Sequence, residues 1–229
     1  MKKLLDGDEE WLKCRQLVIT ATEAPALLGL NKYTSPAKMW TEKTLKTFKG
    51  NAYTLIGRLL EESVVVVTNQ KLGTNFQIIE NEIGKIFYQH DEIQLGATPD
   101  AIEGNVFLEC KTTKPLNYLK YKYTPPGYYI MQLQTQLYCA GFDLGYLAIM
   151  STDLSVDHSL SDLTEGEYVR DHFPITIFEV KRNERLCDLL KQEVIRFWDC
   201  QKRGKQFRVA SKVKKEAILL TQTCYNNCK

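Results

Sequence analysis

Nothing in this chain of 229 residues is both long and apolar. The richest stretch, Leu55 to Val67, is interrupted by Arg58, Glu61 and Glu62, which excludes a membrane-spanning helix of about 20 apolar residues. An export signal is missing as well: Met1-Lys2-Lys3-Leu4-Leu5 runs straight into Asp6, Asp8, Glu9 and Glu10, with no apolar segment between charge and cleavage site. A cytoplasmic location is therefore expected, the host cytoplasm if the source is viral. Excess charge of either sign is also wanting, since 30 Lys and Arg oppose 28 Asp and Glu for a net +2. Taken as a sum, that figure argues against a polyanionic partner. Clustered cysteine is absent: the seven, at positions 14, 110, 139, 187, 200, 224 and 228, are odd in number and scattered, as reduced thiols are. Only Cys224 and Cys228 are close, whereas structural zinc takes four ligands from tighter clusters. Repeats and low-complexity segments are missing too. What remains, 44% hydrophobic and 25% charged residues, is the composition of a folded globular chain.

The first third reads as helical. Thr20-Ala21-Thr22-Glu23 has the form of a capping box and opens a short helix that ends at Gly29. A second helix is expected from Ser35 to Lys46, with Pro36 just inside its start. A third is expected from Tyr53 to Gln70, where Ile56, Leu59, Leu60, Val64 and Val67 recur at helical spacing although four consecutive valines favour strand. The middle switches to strands at Ile78–Tyr88, Ile93–Ala97, Ala101–Glu103 and Val106–Lys111, with Gly104-Asn105 turning a hairpin. A helix from Gly127 to Gly141, a strand from Leu144 to Met150, a polar surface excursion at 152–171, a strand from Ile175 to Val180 and a helix from Asn183 to about Gly204 complete the reading. The fold class is α/β, a central mixed sheet flanked by helices.

Chemistry concentrates in Thr98-Pro99-Asp100, eight intervening residues, and Glu109-Cys110-Lys111. Alternation along a strand puts Glu109 and Lys111 on one face and Val106, Leu108 and Cys110 on the other, and Asp100 enters the neighbouring strand. Two carboxylates and an intervening backbone carbonyl form an all-oxygen site suited to Mg²⁺. A lysine beside that ion can hold the attacking water and balance phosphate charge, the equipment of phosphodiester hydrolysis. This pattern resembles the signature of the PD-(D/E)xK nuclease superfamily. In the following helix Tyr129, Gln132 and Gln136 share one face while Ile130, Leu133 and Leu137 form the apolar stripe. The arrangement resembles the glutamine motif with which exonucleases of the superfamily position lysine and water. Upstream, Glu61, one turn after Gly57, resembles the helix carboxylate that completes the metal site.

The stretch Trp11-Leu12-Lys13-Cys14-Arg15, then Val18 to Glu23, is similar to the opening motif of the phage lambda type exonucleases, the viral alkaline exonucleases that partner recombinases. The resemblance covers about residues 11–23, 57–61, 88–111 and 129–137, and His90-Asp91 departs from its pattern. It implies a restriction-endonuclease-like core within one nuclease domain, residues 1–229: a helical N-terminal region over 1–75, a catalytic sheet over 76–182, and a basic helix and tail over 183–229. It implies Asp100, Glu109 and the Cys110 carbonyl on Mg²⁺, with Mn²⁺ substituting and Glu61 assisting, Lys111 holding the water and Gln132 orienting Lys111. It further implies 5′-to-3′ digestion of double-stranded DNA ends, a ring-shaped trimer and a single-strand annealing recombinase as partner. A 5′-phosphate or DNA site is expected from Arg15, Thr22, Thr98, Lys114 and Tyr129, because a helix N-terminus offers free N–H groups and a positive dipole end. An endonuclease of the same superfamily, a catalytically silent DNA-binding recombination accessory protein, and an iron–sulfur nuclease using Cys224 and Cys228 are the alternatives.

Charge is sorted along the chain. Residues 191–215 hold nine basic against two acidic side chains, and Lys114, Lys120 and Lys122 alternate with Tyr118, Tyr121 and Tyr123 directly after Lys111. Lysines neutralise phosphates and aromatic rings stack on unpaired bases, so the segment 114–123 is expected to contact DNA. Residues 152–171 carry six acidic side chains against Arg170 alone and are the stretch least suited to face it.

Overall fold

The computed structural model describes residues 2–5, 7–45, 52–78, 80–81, 84–152 and 172–228. In chain order its elements are β1 (Lys2–Leu5), α1 (Gly7–Leu17), β2 (Ile19–Thr20), α2 (Ala24–Leu27), α3 (Pro36–Leu45), α4 (Ala52–Leu72), β3 (Gln77–Ile78), β4 (Glu80–Asn81), β5 (Gly84–Gln89), β6 (Leu95–Ala97), β7 (Ala101–Glu103), β8 (Val106–Thr113), α5 (Pro115–Tyr121), α6 (Gly127–Ala140), β9 (Leu144–Ser151), β10 (Ile175–Lys181), α7 (Glu184–Lys202), α8 (Ser211–Thr221) and β11 (Tyr225–Cys228).

Two sheets organise these elements. The larger has the order β11-β10-β9-β8-β7-β3, and the smaller is built on β1-β5-β6-β2 with β4 beside β5. In the larger sheet β8 and β9 run parallel, with Glu109 opposite Leu147 and Lys111 opposite Ile149. All its other pairs are antiparallel, so the sheet is mixed. A parallel pair needs a crossover, and α5 and α6 supply it. Helix α6 ends at Gly141, whose φ of 72° is open to glycine at little cost.

Strand β8 is the wall between two apolar cores. Phe107 belongs to the core that contains Ile130, Leu133 and Leu137 of α6 and Leu186, Leu190, Val194 and Phe197 of α7. Leu108 belongs to the other, with Leu60, Val64, Val65 and Val67 of α4. The alternation expected of the strand is thus realised, and the valine run is helical because its apolar face packs on β8. Tertiary burial overrides the small helix penalty of branched side chains.

Two sequence expectations are corrected, and two stretches read without an element acquire one. The helical reading of the start gives way at Ile19–Thr20, which pairs in parallel with Leu95 and Gly96 of β6, as branched residues favour. The strand expected over Ile78–Tyr88 is divided between the two sheets as β3, β4 and β5. Residues 115–121, to which the sequence reading assigns no element, form a helix with Pro115 in its first turn. The tail holds helix α8 and strand β11, which pairs with β10. The acidic excursion falls almost wholly at 153–171, outside the described residues. Among those described, no helix is long and apolar enough to cross a membrane.

Candidate functional site

Strand β7 pairs with β8 from Ala101↔Leu108 outward to Glu103↔Val106. Just before Ala101 the backbone ladder stops and a side chain takes over. Asp100 Oδ2 accepts a hydrogen bond of 2.7 Å from the Cys110 N–H. That bond fixes Asp100 beside Glu109 and leaves its other oxygen without a hydrogen bond among the described residues.

Glu109 is fully buried. Its Oε1 accepts from Lys111 Nζ and from Gln132 Nε2, and its Oε2 accepts from Gln136 Nε2. A carboxylate has about four lone-pair sites; three are used, and one on Oε2 remains. Buried charge is tolerated only when paired and hydrogen-bonded, and these three donors provide that. Gln132 and Lys111 thus meet at one shared Glu109 oxygen. The amide oxygen of Gln136 is buried without a hydrogen-bond partner among the described residues. The spacing of Gln136 puts it on the right helix face, but nothing in the sequence distinguishes its role from that of Gln132.

The electrostatics follow from crowding. Burial first, then the charges of Glu109 and Glu61, push the Asp100 carboxyl well above the usual carboxylate range. Burial opposes the charge on Lys111, but Glu109, Asp100 and the hydrogen bond to Glu109 outweigh it and hold the ammonium above the ordinary lysine range. Burial likewise raises the Cys110 thiol, so its sulfur stays protonated and only its backbone is available. Lys111 Nζ also lies 5.7 Å from the centre of the Tyr129 ring.

A divalent cation fits this donor set. Asp100 keeps an oxygen without a hydrogen bond among the described residues and Glu109 keeps one open lone-pair site on Oε2, their repulsion is a charge defect that a cation relieves, and Mg²⁺ needs only one or two carboxylates. Glu61 acts on Asp100 through its charge, but no group of three or more His, Cys, Asp or Glu stands ready to hold an ion among the described residues. The Cys224–Cys228 alternative loses its footing on the same grounds. Burial raises the Cys224 thiol to about 11, and its sulfur donates to the Leu220 carbonyl at 2.9 Å.

The residues expected to bind a 5′ phosphate are placed unevenly. The Thr98 hydroxyl accepts from the Trp11 indole N–H at 2.9 Å, and the Arg15 guanidinium lies 4.4 Å from the Trp11 ring centre. Trp11 thereby connects Arg15 to the loop that carries Asp100. Thr22 is exposed, and the helix end beside it is not the bare positive terminus expected. Helix α2 has only four residues, and the Glu23 carboxylate accepts there from the N–H and hydroxyl of Thr20 at 2.8 and 2.9 Å. Glu23 also pairs with Lys43 at 2.9 Å. Lys114 is exposed at the start of α5. Tyr118 is buried and its hydroxyl bonds Thr176 at 2.8 Å, which withdraws it from base stacking. His90 packs on Tyr138, 4.5 Å between ring centres, and its Nδ1 accepts from the Glu92 N–H.

Known proteins share this architecture. An alkaline exonuclease from Laribacter hongkongensis superposes with a TM-score of 0.61 at 22% identity, covering 93% of this chain and all of that one; it has also been solved with dAMP. A phage-related exonuclease from Haemophilus somnus gives 0.58 at 16% identity, over 84% of this chain and 97% of that one. These likenesses establish the fold: the mixed sheet with flanking helices is that of restriction-endonuclease-like exonucleases. An uncharacterized protein of Bacillus subtilis, YqaJ, is 25% identical over 214 residues, which is 86% of this chain and 57% of YqaJ. The chain thus spans little more than half the length of that relative. Residues 10–143, the segment from α1 through α6 that holds Asp100, Glu109, Lys111 and both glutamines, match the YqaJ-like viral recombinase domain, and the chain belongs to that family.

Proposed function

We propose that the protein is a metal-dependent deoxyribonuclease, an exonuclease that enters at double-stranded DNA ends. It removes nucleotides from the 5′ strand and leaves a 3′ single strand for recombination. The observation that carries the reading is the fully buried Glu109, held by Gln132, Gln136 and Lys111 next to Asp100. No structural need explains a buried carboxylate with an acceptor site left open beside a second carboxylate of raised proton affinity.

Asp100, Glu109 and the Cys110 carbonyl would hold Mg²⁺, or Mn²⁺ in its place, with Glu61 contributing charge from α4. Such an ion supplies a polarised phosphate and a water of lowered pKa. The protein's own groups do the rest. Lys111, kept protonated by Glu109, holds a water or a phosphate oxygen by charge and cannot serve as a base near neutral pH. Gln132 and Gln136 fix Glu109, and through it the Lys111 ammonium. Arg15 and Thr98, joined through Trp11, together with Thr22, Lys114 and Tyr129, are the groups proposed to receive the terminal phosphate and adjacent strand. The 5′-to-3′ direction, a trimeric ring, an annealing recombinase partner and action in the cytoplasm complete the proposal and rest on resemblance to the lambda-type exonucleases.

Incubation of linear and closed circular duplex with Mg²⁺ tests it. Linear DNA labelled at either end should shorten from the 5′ strand while the circle stays intact. Lys111→Ala should lose cleavage and keep DNA binding. Cutting of the circle would mark an endonuclease, a fully active Lys111→Ala would sink the mechanism, and inertness in both Mg²⁺ and Mn²⁺ would mark a silent DNA-binding protein.

A further inference from the structure

Beyond Tyr129 the aromatic side chains do not stop. The Tyr129 ring meets Tyr128 at 4.6 Å and Tyr121 at 6.1 Å between centres, and Tyr128 meets Tyr33 at 6.2 Å. Lys32 sits among them. Its ammonium donates to the Tyr121 hydroxyl at 2.9 Å and lies 4.9, 5.7 and 5.8 Å from the ring centres of Tyr33, Tyr121 and Tyr128. The Tyr121 and Tyr128 hydroxyls are 3.2 Å apart. Three ring contacts therefore join Lys111 to Tyr33, which is 69% exposed. Lys32 also opens on a cleft of about 400 Å³ lined by Asn31, Thr124, Gly127 and Lys214.

The usual purpose of packed tyrosines is a core, yet this group lies at the surface: Lys32 and Tyr33 are exposed, and Tyr121, Tyr128 and Tyr129 are half-buried. The ammonium has three donors; among the described residues Tyr121 and Tyr33 are its hydrogen-bond partners. A cation held by ring faces, with a donor to spare, beside the exposed Tyr33 ring, matches the chemistry of an unpaired nucleotide. Bases stack on tyrosine irrespective of sequence, and lysine neutralises the phosphate between them. A paired end offers no free base face to such a surface.

We infer that Lys32, Tyr33, Tyr121 and Tyr128 form a cradle for the unpaired strand of a DNA end, feeding or clearing the site at Lys111. The inference rests on the nuclease reading above for its substrate class, but its test does not depend on cleavage. The probe is a short duplex with a few unpaired terminal nucleotides, one replaced by fluorescent 2-aminopurine, compared with the same duplex blunt-ended. Both are bound to the full chain in the presence of a chelator. Stacking in the cradle should quench the fluorescence of the unpaired probe. Lys32→Ala and Tyr33→Ala should each weaken binding of the unpaired-end duplex roughly tenfold and of the blunt duplex much less, while Tyr33→Phe keeps the ring and the binding. Both side chains are exposed, so unchanged melting temperatures will separate a binding loss from misfolding. Variants that bind both duplexes in the same ratio as the wild type would overturn the cradle. A wild-type protein that quenches the probe but never shortens DNA with Mg²⁺ or Mn²⁺ would uphold the cradle and overturn the nuclease reading.

Discussion

Gln136 shows how much one amide can carry. Its side chain is fully buried and donates to the Glu109 oxygen that Lys111 does not occupy. Gln136→Leu keeps the volume and removes that donor, leaving a buried anion less satisfied. The expected result is a loss of about 1–3 kcal/mol in stability, read by chemical denaturation, together with slower cleavage. A variant as stable as the wild type would mean that Glu109 finds another donor. The residues of the site are readable from sequence to different depths. Asp100, Glu109 and Lys111 follow from strand alternation and from the pairing of β7 with β8. Glutamine spacing puts Gln132 and Gln136 on one helix face. Which oxygen each amide meets depends on how deeply α6 sits on the sheet, and spacing is silent on that. Trp11 is visible only within a motif; its hydrogen bond to Thr98 joins residues 87 positions apart, which no local pattern encodes.

At the scale of elements, the depth of α6 is set by a glycine. Gly145 of β9 lies opposite Phe107 of β8, and a Cβ there would come within 2.9 Å of a Leu133 methyl and 3.2 Å of the Phe107 carbonyl oxygen. The missing side chain lets α6 descend until its glutamines reach Glu109. Gly145→Val should therefore cost about 1–3 kcal/mol through overpacking and reduce cleavage by lifting the helix. Equal activity and melting temperature in this variant would show that the layer is looser than its contacts imply. Long periodic elements are legible: α4, α6 and α7 follow from 3.6-residue periodicity, and the hairpin follows from alternation around Gly104-Asn105. The short ones are not. Strand β2 has two residues and exists because β6 is there to pair with it, and β11 exists because β10 has a free edge. Helix α5 hides behind a lysine–tyrosine alternation whose preceding Pro115 sits in its first turn.

For the whole molecule, the proposed site implies that a proton and a divalent cation compete for one place. Asp100 binds its proton more tightly in the folded metal-free protein than in the unfolded chain. Its contribution to stability is thus full below the ordinary carboxylate range and declines as pH rises through its raised folded value. Lys111, also raised, contributes stability that is complete below the ordinary lysine range and is lost only as strongly alkaline pH passes its folded value. A cation held there would displace the Asp100 proton and stabilise the fold by mass action. The rise in melting temperature produced by Mg²⁺ should accordingly grow from acid toward mildly alkaline pH; a rise that shrinks over that interval would contradict a carboxylate-held ion. The near-zero net charge is resolved at this scale as well. Lys191, Arg196 and Arg203 are paired with Glu92, Glu193 and Asp199. Lys202, Lys205, Arg208, Lys212, Lys214 and Lys215 are exposed and make no ion pair with a described residue.

The position of β8 between two cores also bears on when the protein can act. Its hairpin partner β7 precedes it, but α6, which holds Glu109, and β9, which flanks it in parallel, leave the ribosome only afterwards. At about 5–20 residues per second, the interval between synthesis of Lys111 and completion of β9 is on the order of seconds. During that time Glu109 and Lys111 exist without the walls that fix them. Until the crossover closes, the site at Glu109 is incomplete, so on the proposed reading the order of the elements itself delays the onset of activity.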